Sequence, residues 1–179
     1  SRTFVCDGAY RRTAPSGEKI VIKCLGSHGA VDVRRILEFS CNAGAAYASD
    51  EVQALDLYER LRAFGFGSRT GAALGGESAG QLRSPEEWSL RSKPTIAMGQ
   101  EILVTALQMT AAANAVANGG TLMKPIVVRR IVSPSGEAVL DNAPQPIRRV
   151  ISAETSREIL GAMESAASEG GTGRRAKVQ

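Results

Sequence analysis

Two polar residues, Ser40 and Asn42, interrupt a stretch of the sequence that is otherwise apolar. Ile36, Leu37 and Phe39 precede them, and an alanine-rich run from residue 43 to residue 48 follows. Polar side chains in such a setting must be hydrogen-bonded or must line a cleft. Serine and asparagine are also favoured helix caps. The pattern by itself therefore supports either a cleft that presents a hydroxyl and an amide, or a simple cap.

Imidazole and thiol side chains, which can bind metals or act as nucleophiles, are few: one histidine, His28, and three cysteines, Cys6, Cys24 and Cys41. His28 is a candidate base, but it stands in a glycine-bounded turn before a helix, which favours a structural or capping role. No Cys-x-x-Cys pair occurs, so the spacing predicts no structural zinc site, and we expect no metal and no cofactor. The odd number of cysteines leaves at least one thiol without a partner in the chain.

Nucleotides and nucleic acids are poor candidates for ligands. The segment Gly65-Phe66-Gly67-Ser68-Arg69-Thr70-Gly71 partly matches a dinucleotide-binding loop, but its last glycine comes one position late, and it follows a predicted helix instead of a strand. The net charge is +4, yet the basic residues are spread along the chain and do not gather into a patch interleaved with aromatics. We therefore expect no nucleic-acid partner.

The composition is that of a globular domain. Hydrophobic residues make up 43% and charged residues 22% of the 179 residues, which is enough to build a buried core. No run of about 18 apolar residues occurs, so the sequence predicts no membrane span. The first residues lack the charged and apolar regions of a signal peptide, so no cleavable leader is expected in this chain.

Short strands and helices are predicted to position these residues. The first 25 residues predict two extended segments, Thr3–Cys6 and Lys19–Leu25, with a Pro15-Ser16-Gly17 turn in the polar stretch between them. Helical patterns follow around Ser40 and over Glu51–Phe64. Later elements are a short helix capped by Ser84, a helix over Thr105–Asn118 with a capping box of Thr105 and Gln108, strands Ile126–Val132 and Ala138–Leu140 around a Ser133–Gly136 turn, and a helix over Ala153–Ala167 capped by Ser152.

The order and spacing of several short blocks resemble the transpeptidase domain of class B penicillin-binding proteins. In order, the blocks are His28-Gly29, Ser40-Cys41-Asn42, Phe64-Gly65-Phe66-Gly67, Thr70-Gly71, Gly76-Glu77-Ser78-Ala79-Gly80, Trp88, Gly99-Gln100, Val104-Thr105-Ala106-Leu107-Gln108, Ala117-Asn118-Gly119-Gly120, Pro125 and Gly171-Thr172-Gly173. Each block is weak alone, but together they cover nearly the whole chain in the family's order.

The resemblance implies an α+β fold of the penicillin-binding and serine β-lactamase-like transpeptidase type, present in part as a helical lobe plus part of an antiparallel sheet. It implies a division into residues 1–118, with the N-terminal extended segments and the helical lobe, and residues 119–179, with a hairpin and a helix of the α/β lobe. Glu101 departs from the family, in which glycine is common at this position, so the local backbone there is in doubt.

The family has three active-site motifs, Ser-x-x-Lys, Ser-x-Asn and Lys-Thr/Ser-Gly. Ser40-Cys41-Asn42 matches the second, and the resemblance places the first before Ser1 and the third shortly after Gln179. Ser16-Gly17-Glu18-Lys19 matches the first by letters only, because Pro15 and Gly17 predict a turn, whereas the chemistry needs serine and lysine one helical turn apart. Arg69-Thr70-Gly71 imitates the third motif but comes too early in the order.

By resemblance, Ser40 is the catalytic proton relay between the motif lysine and the reacting amine. Asn42 is the catalytic amide that binds the donor peptide and steadies that lysine. Cys41 is interpreted as a small buried hydrophobic residue that points elsewhere and stays a free thiol.

The implied function is peptidoglycan D,D-transpeptidation, in which stem peptides are cross-linked through an acyl-serine that β-lactam antibiotics also form. The implied partners are the peptidoglycan stem peptide, β-lactams and other cell-wall synthesis proteins. The parent protein is expected to be membrane-anchored, with this domain on the extracytoplasmic face of the bacterial membrane. A non-catalytic structural or interaction module of the cell-wall machinery remains the alternative.

Cys6 and Cys24 also resemble the cysteine-bearing subset of the family. They lie on the two extended segments around the Pro15-Ser16-Gly17 turn, and an extracytoplasmic setting would permit a disulfide between them. The sequence leaves open whether this bond forms, because the intervening segment need not be a simple hairpin.

Overall fold

The computed structural model describes residues 2–176, in which four short strands, five α-helices, four more short strands and a last α-helix follow one another. The strands are β1 (Phe4–Cys6), β2 (Ala9–Thr13), β3 (Lys19–Lys23), β4 (Gly29–Val31), β5 (Thr121–Met123), β6 (Arg130–Val132), β7 (Ala138–Asp141) and β8 (Pro146–Arg149). The α-helices are α1 (Val33–Glu38), α2 (Asn42–Asp50), α3 (Ala54–Ala63), α4 (Ser92–Ala97), α5 (Ala106–Ala117) and α6 (Ala153–Ala166), and short 3₁₀-helices cover Pro85–Glu87 and Arg174–Ala176.

The chain divides into two compact units that interleave along the sequence. The first unit contains the residues up to Glu59, the segment Arg83–Ile102 and the residues from Arg157 onward, and the second contains Arg60–Leu82 and Leu103–Ser156. Each unit is a group of residues with many contacts to one another within this chain. The division of lobes at residue 118, which the resemblance implies for the family's domain, stays a prediction.

The strands of the first unit form two small antiparallel sheets. β2 pairs with β3 across the turn at Pro15-Ser16-Gly17, from Ala9 opposite Lys23 to Thr13 opposite Lys19. β1 pairs with β4, with Cys6 opposite Gly29. The sequence prediction of only two extended segments was incomplete, because β2 lies in the stretch taken as polar and irregular. Its tyrosine, Tyr10, is almost fully buried, although arginines follow it.

The core of the first unit lies between these strands and helices α1 and α2. Its buried residues are Cys6, Tyr10, Ile20, Ile22, Val31, Ile36, Cys41, Ala43 and Ala46. Gly44 permits this close packing, because a Cβ atom there would stand 2.6 Å from Cγ1 of Ile36 and 3.0 Å from Cγ2 of Val31. The glycine and alanines of α2 thus let the helix approach the strands closely.

Helix α5 is the main helix of the second unit, and it begins where the sequence predicted. The Thr105 Oγ1 accepts a hydrogen bond from the Gln108 backbone N–H at 3.1 Å, and the Gln108 side chain accepts one from the Thr105 N–H at 2.9 Å. This is the predicted capping box. Ala111 and Ala115 of the helix pack with Leu122 and Val150 into a small core.

Four strands of the second unit form two pairs. The predicted hairpin is present as β6 and β7, with Arg130 opposite Asp141, although its first strand is shorter than predicted. The pairing of β5 with β8 was missed, because these strands lie far apart in sequence. Gly120 leads into β5 with a φ of 99°, and a Cβ atom there would stand 2.2 Å from the carbonyl oxygen of Ile151.

Two other helix starts agree with the sequence, and the start of α3 differs from it. The 3₁₀-helix after Ser84 has a capping box with Glu87, and the Ser152 Oγ accepts from the Thr155 N–H at 3.0 Å at the start of α6. Helix α3 begins at Ala54, three residues after the predicted Glu51. Among the described residues, no helix combines the length and the apolar character needed to cross a bilayer.

Candidate active site

Ser40 lies in the tight connection between α1 and α2. Its own N–H donates to the Leu37 carbonyl at 3.3 Å, and the next N–H, of Cys41, donates to the Ile36 carbonyl at 2.9 Å. This turn requires a left-handed backbone at Ser40, where φ is 51°. A non-glycine residue in that region costs on the order of 1–3 kcal/mol and persists only where the surrounding structure enforces it. The turn leaves the Ser40 side chain exposed.

Asn42 is the first residue of α2, and its side chain reaches back to the end of β3. Its Nδ2 lies 3.5 Å from the Lys23 carbonyl oxygen, which is a long and therefore weak hydrogen bond. The side chain is half-buried, so it retains access to solvent. The fold thus positions the amide of Asn42, and its one weak hydrogen bond leaves it able to bind another group.

Cys41, between these two residues, is the cap of α2. Its Sγ accepts a hydrogen bond from the Gly44 N–H at 3.2 Å, and its side chain is 1% exposed. The cap interpretation of Ser40 and Asn42 is therefore wrong, because the cysteine between them does the capping. The prediction that Cys41 is buried is confirmed, and burial raises the pKa of its thiol to about 12.

All three cysteines are free thiols, so the disulfide left open between Cys6 and Cys24 is not formed. Cys6, Cys24, Cys41 and His28 instead form one cluster, in which one ligand atom from each residue lies within 4.8 Å of the others. The expectation of no structural zinc site considered only the local spacing of the cysteines. A Cys-x-x-Cys pair is unnecessary when paired strands bring distant cysteines together. A usable signal was that all the thiols and the one histidine lie between residues 6 and 41.

The two sequences that match catalytic motifs by letters have structural roles. Ser16 lies in the β2–β3 turn, where Gly17 has a φ of 85°, and Lys19 begins β3. The Thr70 hydroxyl donates to Oε1 of Glu77 at 2.6 Å, and the Gly71 N–H donates to Oε2 at 3.1 Å. Hydrogen bonds from the Thr70 hydroxyl and backbone lower the pKa of the Glu77 carboxyl. Neither segment has the arrangement that its letters suggest.

The hydrogen bonds made by Glu101 give a reason for a glutamate at a position where glycine is common in the family. Its φ is 59°, a conformation that glycine adopts without strain. The Glu101 carboxylate accepts hydrogen bonds from the Thr95 hydroxyl at 2.6 Å and the Ser92 hydroxyl at 2.7 Å, and it pairs with Arg83 at 2.9 Å. The hydrogen bond from Thr95, with smaller contributions from Ser92 and Arg83, lowers the pKa of this carboxyl.

Comparison with known proteins identifies relatives of the chain. Residues 9–179 match the family described as the penicillin binding protein transpeptidase domain. Stage V sporulation protein D of Bacillus subtilis is 36% identical over 155 residues, which are 86% of this chain and 24% of that protein. PbpB of Mycobacterium tuberculosis is 37% identical over 120 residues, which are 67% of this chain and 18% of that protein. The chain thus spans about a quarter or less of these relatives.

Solved structures agree with the predicted fold class. Penicillin binding protein 3 of Mycobacterium tuberculosis, in complex with aztreonam, superimposes with a TM-score of 0.84 at 29% identity. The superposition covers 99% of this chain and 40% of that one. The transpeptidase domain of Burkholderia pseudomallei penicillin-binding protein 3 has the same fold, with a TM-score of 0.80 at 24% identity. The α+β fold predicted from the sequence, as part of a transpeptidase domain, is therefore confirmed.

Proposed function

Because the chain belongs to the penicillin-binding protein transpeptidase family, we propose that it is part of a serine-type peptidoglycan D,D-transpeptidase. The observation that carries the proposal is the exposed Ser40 hydroxyl on a left-handed turn, with the half-buried Asn42 amide two residues on. Strained backbone conformations cluster at active sites, and this one presents the Ser40 hydroxyl two residues from the half-buried Asn42 amide. The same two residues stand in the family's Ser-x-Asn motif.

In the proposed reaction, a nucleophilic serine attacks the donor amide carbonyl of a stem peptide. A bond forms between the serine Oγ and the carbonyl carbon, the amide C–N bond breaks, and the leaving amine takes a proton. An acceptor amine from a second stem peptide then attacks the acyl-serine, which restores the serine and forms the cross-link. β-Lactams acylate the same serine.

Ser40 relays protons in both steps. Its hydroxyl passes a proton from the lysine of the Ser-x-x-Lys motif to the leaving amine, and the reverse path serves the attacking amine. The exposed position of Ser40 on the α1–α2 connection supports this role, because the relay needs access to substrate and to solvent. Asn42 donates a hydrogen bond to the donor peptide and steadies the lysine.

The location and the partners follow from the same proposal. The enzyme would act outside the cytoplasmic membrane, on which the parent protein is anchored, because its peptide substrate is there. Peptidoglycan stem peptides, β-lactams and other cell-wall synthesis proteins are the proposed partners. The relative that was crystallised in complex with aztreonam supports β-lactams as ligands of this family member.

Labelling with a fluorescent penicillin tests whether this is an enzyme or a non-catalytic module. We expect the 179-residue chain alone to stay unlabelled, because Ser16 is the only serine followed three residues later by a lysine, and it lies in a turn. We expect the complete domain, with all three motifs, to be labelled, and equally so when Ser16 is changed to alanine. Labelling of the chain alone at Ser16 or Ser40, or no labelling of the complete domain, would contradict the proposal.

A further inference from the structure

Three thiols and one imidazole converge inside the first unit from four separate places in the fold. Cys6 ends β1, Cys24 follows β3, His28 precedes β4 and Cys41 caps α2. Backbone hydrogen bonds fix their positions, because the His28 N–H donates to the Cys6 carbonyl at 3.1 Å and the Cys24 N–H donates to the Gly8 carbonyl at 2.9 Å. The cluster is therefore a consequence of strand pairing.

We propose that Cys6, Cys24, Cys41 and His28 form a structural zinc site with Cys₃His ligation. Three of the six distances between the ligand atoms match the edges of a tetrahedron, and the other three are within 4.8 Å. Zn–S bonds of about 2.3 Å and a Zn–N bond of about 2.0–2.1 Å give tetrahedral edges of about 3.8 Å between sulfurs and about 3.6 Å between sulfur and nitrogen. The Cys24 and Cys41 sulfurs are 3.8 Å apart, and the Cys6 and Cys24 sulfurs each lie 3.6 Å from the His28 Nδ1.

The nature and number of the ligands indicate the metal and its role. Thiolate and imidazole are the ligands that Zn²⁺ prefers, whereas Mg²⁺ and Ca²⁺ prefer oxygen. Four protein ligands complete a tetrahedral shell and leave no open position for substrate, which is the pattern of a structural site. Cys6 and Cys41 are buried, so the metal would be shielded from solvent on that side.

The surroundings can support the charge of the bound metal. Zn²⁺ with three thiolates and a neutral imidazole carries a charge of −1. The Gly44 N–H already points at the Cys41 sulfur, and the N-terminus of α2 stabilises negative charge there.

Zinc binding exchanges thiol protons for the metal ion. Zn²⁺ replaces the proton of each thiol that is still protonated, so three neutral thiols would release three protons to solvent. The Cys6 thiol would give up its long contact with the Gly26 carbonyl, at 3.5 Å. His28 would bind through Nδ1 as the Nε2–H tautomer, and its stacking on Phe39, with the ring centroids 5.5 Å apart, holds the ring in place.

The zinc site would also hold the candidate active site in place. Cys41 lies between Ser40 and Asn42, so a metal bound to its sulfur would fix the turn that presents both residues. Cys24 follows Lys23, whose carbonyl accepts the hydrogen bond from Asn42. This link to catalysis rests on the proposed function, whereas zinc binding itself does not.

Elemental analysis of the full 179-residue chain, purified under reducing conditions and dialysed against ZnCl₂, measures the stoichiometry. We expect about one zinc per chain, as structural Cys₃His sites bind one ion. We also expect the Co²⁺-substituted chain to show thiolate-to-cobalt charge-transfer bands and the intense d–d bands of tetrahedral coordination. The wild-type spectrum decides the proposal even if variants fail to fold. Bands typical of octahedral coordination, the absence of both kinds of band, or a disulfide seen by mass spectrometry in place of metal would overturn the proposal.

Variants identify the ligands. His28→Ala and Cys24→Ser are expected to weaken zinc binding by more than the roughly 10–100-fold that loss of an outer-shell partner costs. His28→Cys should retain zinc by forming a Cys₄ site, and Ser49→Ala, a matched truncation of another buried small side chain in this unit, should also retain it. Full zinc content in both ligand variants would contradict the assignment.

The link to catalysis is tested in the complete domain. Removal of zinc with a chelator is expected to slow β-lactam acylation, and added zinc to restore it. A domain that binds zinc without reacting with penicillin would refute the proposed function alone, and a domain that reacts without binding zinc would refute only the metal site.

Discussion

At the scale of the residue, Ser40 has a strained backbone in addition to its proposed chemical role. Its φ of 51° is unfavourable for any residue with a Cβ atom. Ser40→Gly is therefore expected to raise the free energy of unfolding by about 1 kcal/mol, the strain relief less the added entropy of the unfolded chain. The same change should abolish the proton relay in the complete domain.

The control for this prediction is Ser40→Ala, which removes the hydroxyl but keeps the Cβ atom, and which should leave stability unchanged. Urea unfolding followed by circular dichroism measures both variants. A less stable Ser40→Gly variant would show that the left-handed turn carries no strain.

Glu101 makes the stability of the first unit dependent on pH. Hydrogen bonds and Arg83 lower its folded-state pKa, so its contribution is complete above the unfolded pKa of about 4.3 and is lost as the pH falls through the lower folded value. Glu101→Gln is expected to destabilise the chain by about 1 kcal/mol at pH 7 and by much less near pH 3. Urea midpoints at the two pH values test this.

The exposed Glu59→Gln is the matched control for Glu101, and its urea midpoint should stay close to that of the wild type at both pH values. An equal loss of stability at both pH values for Glu101→Gln would mean that the ionised carboxylate is not the stabilising group.

At the scale of the element, replacing two helical glycines by alanine is expected to have opposite effects on stability. Gly44→Ala in α2 would bring a Cβ atom within 2.6 Å of Ile36, so we expect a loss of about 2–3 kcal/mol from overpacking. Gly161→Ala in α6 meets nothing within 4 Å and should gain about 0.5–1 kcal/mol from helix propensity. Thermal and urea unfolding compare them. Equal effects would contradict the packing of α2 described above.

The elements differ in how far the sequence predicts them. Helix α5 was predictable, because its capping box and its terminal glycines are local signals. The β6–β7 hairpin was predictable from its turn. β2 was missed because two arginines follow its buried tyrosine and make the segment look polar. The β5–β8 pair was missed because its register depends on packing between distant segments. Short-range sequence signals predict helices and hairpins, whereas the pairing of distant strands depends on tertiary packing.

At the scale of the whole molecule, the same limit applies to the candidate sites. Ser40 and Asn42 could be predicted because they stand two residues apart in an ordered series of family blocks. The geometry of the cluster of Cys6, Cys24, His28 and Cys41 could not, because its members come together only through the pairing of β1 with β4 and of β2 with β3 and through the placement of α2. Cysteine spacing is a local signal, whereas this cluster depends on tertiary structure.

The second-order rate constant of acylation by benzylpenicillin, measured on the complete domain, tests the central claim most directly. We expect Ser40→Ala to lower it by about 10²–10⁴-fold, as for the loss of a proton shuttle, and Asn42→Ala by about 10²–10³-fold, as for the loss of a preorganised hydrogen bond. Ser16→Ala should leave it unchanged, and urea midpoints should show that all three variants are folded. Wild-type rate constants in folded Ser40→Ala and Asn42→Ala variants would contradict the assignment of this turn to the active site.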